Sequence, residues 1–141
     1  MHVTPVIGMD IPATILELAN IDNKYMDGIS LLPLIEDSNY DSKRPLFWHY
    51  PHYSNQGGIP AAAVRLGDYK LIQRLENSKM HLYNLSKDPG EKNDIANKYP
   101  KRVEQLTALL FAWYIEVDAQ FLTPKDNINP WQLKEDFQDV L

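Results

Sequence analysis

Ala62-Ala63-Val64-Arg65-Leu66-Gly67-Asp68-Tyr69-Lys70-Leu71-Ile72-Gln73-Arg74-Leu75 is the stretch that decides the fold. Two runs suited to extended backbone flank Gly67-Asp68. A two-residue connection of this kind is a hairpin signal, because glycine supplies the positive φ that a tight turn needs. Upstream, Leu46-Phe47-Trp48-His49-Tyr50 is rich in aromatics and bounded by Pro45 and Pro51, which suits a strand of about five residues. Ser54-Asn55-Gln56-Gly57-Gly58 between these strands reads as a mobile loop by composition. Downstream, Glu76-Asn77-Ser78-Lys79 turns the chain into a further strand, Met80-His81-Leu82-Tyr83-Asn84-Leu85. The expectation is an antiparallel sheet of about four strands over 46–50, 62–66, 69–75 and 80–85.

Beyond the sheet, Asp88-Pro89-Gly90-Glu91 is a strong turn, with proline setting φ and glycine following it. Pro100 suits the start of a helix. Val103, Leu106, Leu110, Trp113, Val117 and Phe121 then step by three and four, so their apolar stripe should lie on the sheet. The polar residues 123–130 break that helix, and 131–141 form a last helical turn or two. Before the sheet, residues 10–36 read as helix, turn and short helix. Asp10 is expected to cap the first helix by accepting from an orphan N–H, and Asn20 to stop it. Ile11, Ile15 and Leu18 recur at helical spacing, with Leu16 and Ala19 widening the face. Asp27-Gly28 marks a turn, and Ser30 caps a short helix that has Pro33 in its first turn. Strands in one run with helices outside them give an α+β layer: a small antiparallel sheet packed by a C-terminal helix, preceded by a helical N-terminal block.

The chain has 141 residues, a length of one domain, and can bury roughly 70% of its unfolded surface. Apolar residues make up 44% and charged residues 23%, which is the globular range. No apolar run approaches the ~20 residues of a membrane span, so no membrane partner is expected. The net charge is −5 and the cations are scattered, so no nucleic-acid footprint is expected either. The chain lacks cysteine, which excludes a disulfide framework, a thiolate metal site and a cysteine nucleophile within it.

His49 and His52 are the first place to look for chemistry. They stand three apart in an aromatic segment beside Gly57-Gly58, and imidazole can hydrogen-bond a hydroxyl or meet an anion when protonated. The competing reading is a partly buried aromatic cluster. Trp48, Tyr50, Tyr53, Tyr83 and Trp113 read as core and rim ahead of a sugar-stacking platform. Arg65 and Lys70 flank the hairpin turn, where such residues usually cover sheet edges and pair with surface carboxylates. Asp88, Glu91 and Asp94 resemble an acid–base or calcium cluster, but the turn reading fits the first two better. No histidine or acid stands at a convincing ligand spacing, and no phosphate loop, nucleophile elbow or zinc helix motif occurs.

Six clusters in one order resemble the C-terminal end of a sulfatase. They are Asp10 to Ala19, Asp27-Gly28-Ile29-Ser30-Leu31-Leu32-Pro33-Leu34, Phe47 to Tyr53, Arg65 to Ile72, Leu82 to Glu91, and Asn129-Pro130. Each is weak alone; their order and spacing are specific. The resemblance implies that residues 1–40 are the tail of a large α/β catalytic domain and residues 41–141 the smaller C-terminal subdomain. It implies hydrolysis of a sulfate ester by a formylglycine hydrate, made from the Cys or Ser of a Cys/Ser-x-Pro-x-Arg motif, with a divalent cation, usually calcium, as Lewis acid. This chain holds no such motif and no adjacent Asp-Asp pair, so it takes no catalytic residue, no metal ligand and no cofactor of its own from the resemblance. What transfers is a loop beside the cleft: His49, His52, Tyr53 and Asn55 are the substrate-contact candidates in the intact enzyme.

The partners so implied are a missing N-terminal catalytic domain and a sulfated carbohydrate or small sulfate ester. A periplasmic or secreted location follows from the resemblance alone. Two other readings stand beside it: a freestanding binding module for sulfated carbohydrate, and a structural or oligomerisation domain. With no large domain to cover it, the face of Ile11, Ile15 and Leu18 is expected to drive self-association.

Overall fold

A computed structural model describes residues 4–22, 24–37, 40 and 42–122. His2, the Asn129-Pro130 cluster, the break over 123–130 and the helical turns over 131–141 lie outside the described residues. The chain divides into two compact units, Met1–Arg44 and Pro45–Leu141.

In the second unit, β1 (Leu46–Tyr50), β2 (Ala61–Leu66), β3 (Tyr69–Arg74) and β4 (Met80–Asn84) form one sheet. Its order is β1-β2-β3-β4 and every pair is antiparallel, so each strand pairs with the next along the chain. The strands start and end within one residue of the expected bounds. Gly67 turns the central hairpin with φ +58°. Side chains alternate between faces. One face carries the rows Phe47–Val64–Leu71–Leu82 and His49–Ala62–Gln73–Met80; the other carries Trp48–Ala63–Ile72–His81.

Helix α3 (Pro100–Glu116), with proline in its first turn, covers the first of these faces. Leu106, Leu110, Phe111 and Tyr114 interlock with Val64, Leu71 and Leu82, all buried. Trp113 stacks on Phe47 with ring centroids 4.8 Å apart. One polar bond crosses this core: the Tyr114 hydroxyl donates to Oε1 of the buried Gln73 at 2.8 Å. Burial drives the Tyr114 phenol well above the usual tyrosine range.

The helix ends one turn before the apolar stripe does. Asp118 takes φ +48°, its N–H donates to the Ile115 carbonyl, and the Ala119 N–H donates to the Tyr114 carbonyl. This is a Schellman close with aspartate in the usual glycine position. Val117 is therefore exposed, and Phe121 meets the core from the reversed chain, edge-on to Tyr114 at 5.0 Å.

In the first unit, α1 (Asp10–Leu18) and the short α2 (Leu32–Glu36) are joined by a loop. Asp10 does not cap α1, contrary to expectation, because it is itself the first helical residue and Met9 occupies the cap. Its buried carboxylate turns back to the Ile7 N–H at 2.9 Å and across to the Ile29 N–H at 3.1 Å, and pairs with Arg44 at 2.5 Å. Thr14 accepts from the Leu31 N–H and donates to the Asp10 carbonyl. Gly28 is required here: a Cβ would stand 1.9 Å from the Met9 carbonyl oxygen. Asn20 closes α1 with φ +56°, its N–H on the Glu17 carbonyl and the Ile21 N–H on the Leu16 carbonyl. The Ser30 hydroxyl accepts from the Leu32 N–H at 3.2 Å, at the start of α2.

The inner side of α1 is thus Asp10, Ala13 and Thr14, while Ile11, Ile15 and Leu18 are 58%, 59% and 67% exposed.

Candidate functional site

The four sequence candidates come from β1 and the connection that follows it, and the structure divides them. On β1, His49 shares the row of Ala62 and Gln73, so it points to the α3 side. Its ring meets Tyr114 and Phe121 edge-on at 5.4 and 5.2 Å. Nε2 lies 2.6 Å from the Gln120 carbonyl. A carbonyl only accepts, so Nε2 carries the proton. Nδ1 is buried, with no hydrogen-bond partner among the described residues.

His52, Tyr53 and Asn55 stand exposed on the connection from β1 to β2. The His52 ring packs edge-on to Tyr50 at 5.6 Å, with an interplanar angle of 84°. The tip folds on itself. The Ser54 N–H donates to the Gly58 carbonyl, the Gly57 N–H to the Ser54 carbonyl, and the Gly58 N–H to the Ser54 hydroxyl. Gly57 has φ +85°, a conformation that glycine adopts without strain. The Tyr53 hydroxyl donates to Glu76 Oε1 at 2.5 Å, and this bond raises the phenol above the usual tyrosine range.

Three aromatics of this region face solvent, where core and rim positions were expected: Trp48 and Tyr50 on the sheet face turned away from α3, and Tyr53 on the connection. They supply flat apolar surface beside a hydrogen-bonding imidazole and amide, a combination suited to a sugar ring. Sequence reasoning placed Tyr50 among the core and rim aromatics and missed the contact of Tyr53 with Glu76. Glu76 lies far along the chain from Tyr53 and reads only as a turn residue. The signal that finds it is the strand pairing, which puts both connections at one end of the sheet.

The acidic cluster separates into three structural tasks. Asp88 accepts from the Asn93 N–H at 2.7 Å, which with the Lys92 N–H holds its carboxyl below the usual range. Glu91 pairs with Lys70 at 2.6 Å. Asp94 accepts from the Leu82 and Ala96 N–H groups and from His81 Nδ1 at 2.8 Å. Burial pushes the Asp94 carboxyl up, but these donors outweigh it and hold the carboxyl low. Arg65 Nε donates to the Gly67 carbonyl across the hairpin turn. Among the described residues, no three His, Asp or Glu side chains gather where a metal ion would be held. These residues do not fit a calcium cage. No helix among them is long and apolar enough to cross a membrane.

The fold of this chain is shared with solved sulfatase structures, and the sequence matches a sulfatase C-terminal family model. The family model described as "N-sulphoglucosamine sulphohydrolase, C-terminal" matches residues 2–116, and the chain belongs to that family. A sulfatase of Formosa agariphila is 34% identical over 67% of this chain and 19% of its own length. The Δ4,5-hexuronate-2-O-sulfatase of Bacteroides thetaiotaomicron is 32% identical over 72% of this chain and 22% of its own. A solved structure of a 2-O GAG sulfatase superposes with TM-score 0.65 at 27% identity, over 77% of this chain and 24% of that one. A second, solved with D-glucosamine-2-N,6-O-disulfate, superposes at 0.67 and 24% identity over the same shares and supports the fold. The chain spans about a fifth of the length of the curated relatives it matches.

Proposed function

We propose that this chain is the C-terminal portion of a sulfuric ester hydrolase that acts on sulfated carbohydrate. It contributes packing and substrate selection, and the nucleophile comes from elsewhere in the protein. One observation carries this reading: the family match runs over 2–116, yet the matched relatives are some five times longer than the shared part. In this reading residues 1–40 close a catalytic domain that is otherwise outside the chain, and residues 41–141 flank its cleft. The nucleophile and the cation, calcium by family expectation, belong to that domain. The hexuronate-2-O-sulfatase and the 2-O GAG sulfatase among the relatives favour a sulfated sugar as substrate.

Within the chain, His52 and Asn55 suit contact with sugar hydroxyls or sulfate oxygens, and Tyr53 offers a ring face. His49 is a weaker contact candidate, because its ring is engaged on the α3 side. The test uses the purified chain with an aryl sulfate, with and without calcium. No turnover above background is expected, and turnover would overturn the non-catalytic assignment. In an amide-shift titration with glucosamine 2-N,6-O-disulfate, the signals of residues 52–58 should move first.

A further inference from the structure

We propose that Glu76 is a positioning residue: it fixes the substrate-facing connection through the Tyr53 phenol, an inference that rests on the reading of that connection given above. Residues 51–60 make a link far longer than the two to five residues usual in hairpins, and links of this length hold several conformations unless braced. The bonds among Ser54, Gly57 and Gly58 shape the tip but do not attach it to the sheet. The Leu75 N–H donates to the Pro60 carbonyl at 3.1 Å and fixes only the exit. Among the described residues, the Tyr53–Glu76 bond is the hydrogen bond that ties the entry of the tip across the sheet, beside the contact of the His52 ring with Tyr50 on β1.

The sheet order explains why the tie is available. In a meander, the β1–β2 connection and the β3–β4 turn fall at the same end. Glu76 follows Leu75 directly, so it stands beside the exit of the connection, and Tyr53 reaches it across the end of β2. A phenol donating to a carboxylate is a charge-assisted bond, stronger than a neutral one. It has two consequences for recognition. The Tyr53 hydroxyl is taken, so this residue presents its ring and not its donor. His52 and Asn55, on either side of Tyr53, are held in one arrangement relative to each other, which lowers the ordering cost of binding.

The experiment uses the 141-residue chain and its E76Q and Y53F variants. Amide exchange at residues 53–58 should quicken about fivefold in both variants, with α3 unchanged. The Tyr53 phenol in E76Q should titrate closer to the ordinary tyrosine range, which a remote structural effect would not produce. Joining the two substitutions should add nothing further. Loop exchange in E76Q equal to wild type would overturn the proposal. With glucosamine 2-N,6-O-disulfate at about ten millimolar, loop shifts that are weaker in both variants support the positioning role; shifts equal in all three chains overturn it. If exchange responds but the probe moves no loop amide of the wild type, the tether stands and the substrate reading falls.

Discussion

Asp10 shows how one side chain can look local and act at a distance. At the head of a helix an aspartate reads as a cap, yet its carboxylate joins the Ile7 segment, the Ile29 segment and Arg44. Nothing within four residues signals this, because two of the partners lie 19 and 34 positions away. Removing the cation from a buried pair leaves an uncompensated charge, at a cost of about 3 kcal/mol. Arg44→Ala should therefore quicken amide exchange at Ile7 and Ile29 by about a hundredfold. Unchanged protection would show the pair to be dispensable. Burial pushes the Asp10 carboxyl up, but the Ile7, Arg44 and Ile29 donors hold it below the usual aspartate range. Asp94 is lowered in the same way. A carboxylate depressed in the folded chain stabilises fully above its unfolded value, near pH 4, and loses that contribution as pH falls through the folded value. Thermal midpoints should be level from pH 7 to about 5 and decline below about pH 4. A level profile down to about pH 2.5 would contradict this.

Among the elements, the strands were legible and the helix end was not. Each strand is bounded by a proline or a short turn of two to five residues, and each pairs with its neighbour in sequence, so local signals suffice. The stripe on α3 continues past its real stop because Val117 and Phe121 keep the helical spacing. The stop is set by the backbone at Asp118, and no glycine advertises it. The candidate site was half legible for a related reason. The His52–Asn55 segment announces itself by composition, but its brace at Glu76 exists only once the sheet is assembled. Asp118→Gly should relieve the left-handed backbone and stabilise the unit by about 0.5–1 kcal/mol. That corresponds to a thermal midpoint raised by about 3 °C, measurable by calorimetry. A lowered midpoint would mean that the aspartate side chain contributes more than its backbone strain costs.

At the scale of the whole molecule, the N-terminal unit has its polarity inverted. It buries Asp10 and Thr14 and shows Ile11, Ile15 and Leu18 to solvent. An apolar face of this kind usually belongs against another surface. In the isolated chain, another copy is the surface at hand. Light scattering should show concentration-dependent dimers or larger species, and Ile15→Lys should shift them toward monomer. A monomer for the unsubstituted chain at high concentration would contradict this. The meander of the second unit carries a different consequence. Each strand pairs with its neighbour in sequence, the longest connection being residues 51–60, and the long-range step is the return of α3, marked by the Tyr114–Gln73 bond across 41 positions. Low contact order of this kind favours fast, self-contained folding. The sheet thus needs no long-range template, and its main refolding phase should have a rate that follows substitutions where α3 meets β2.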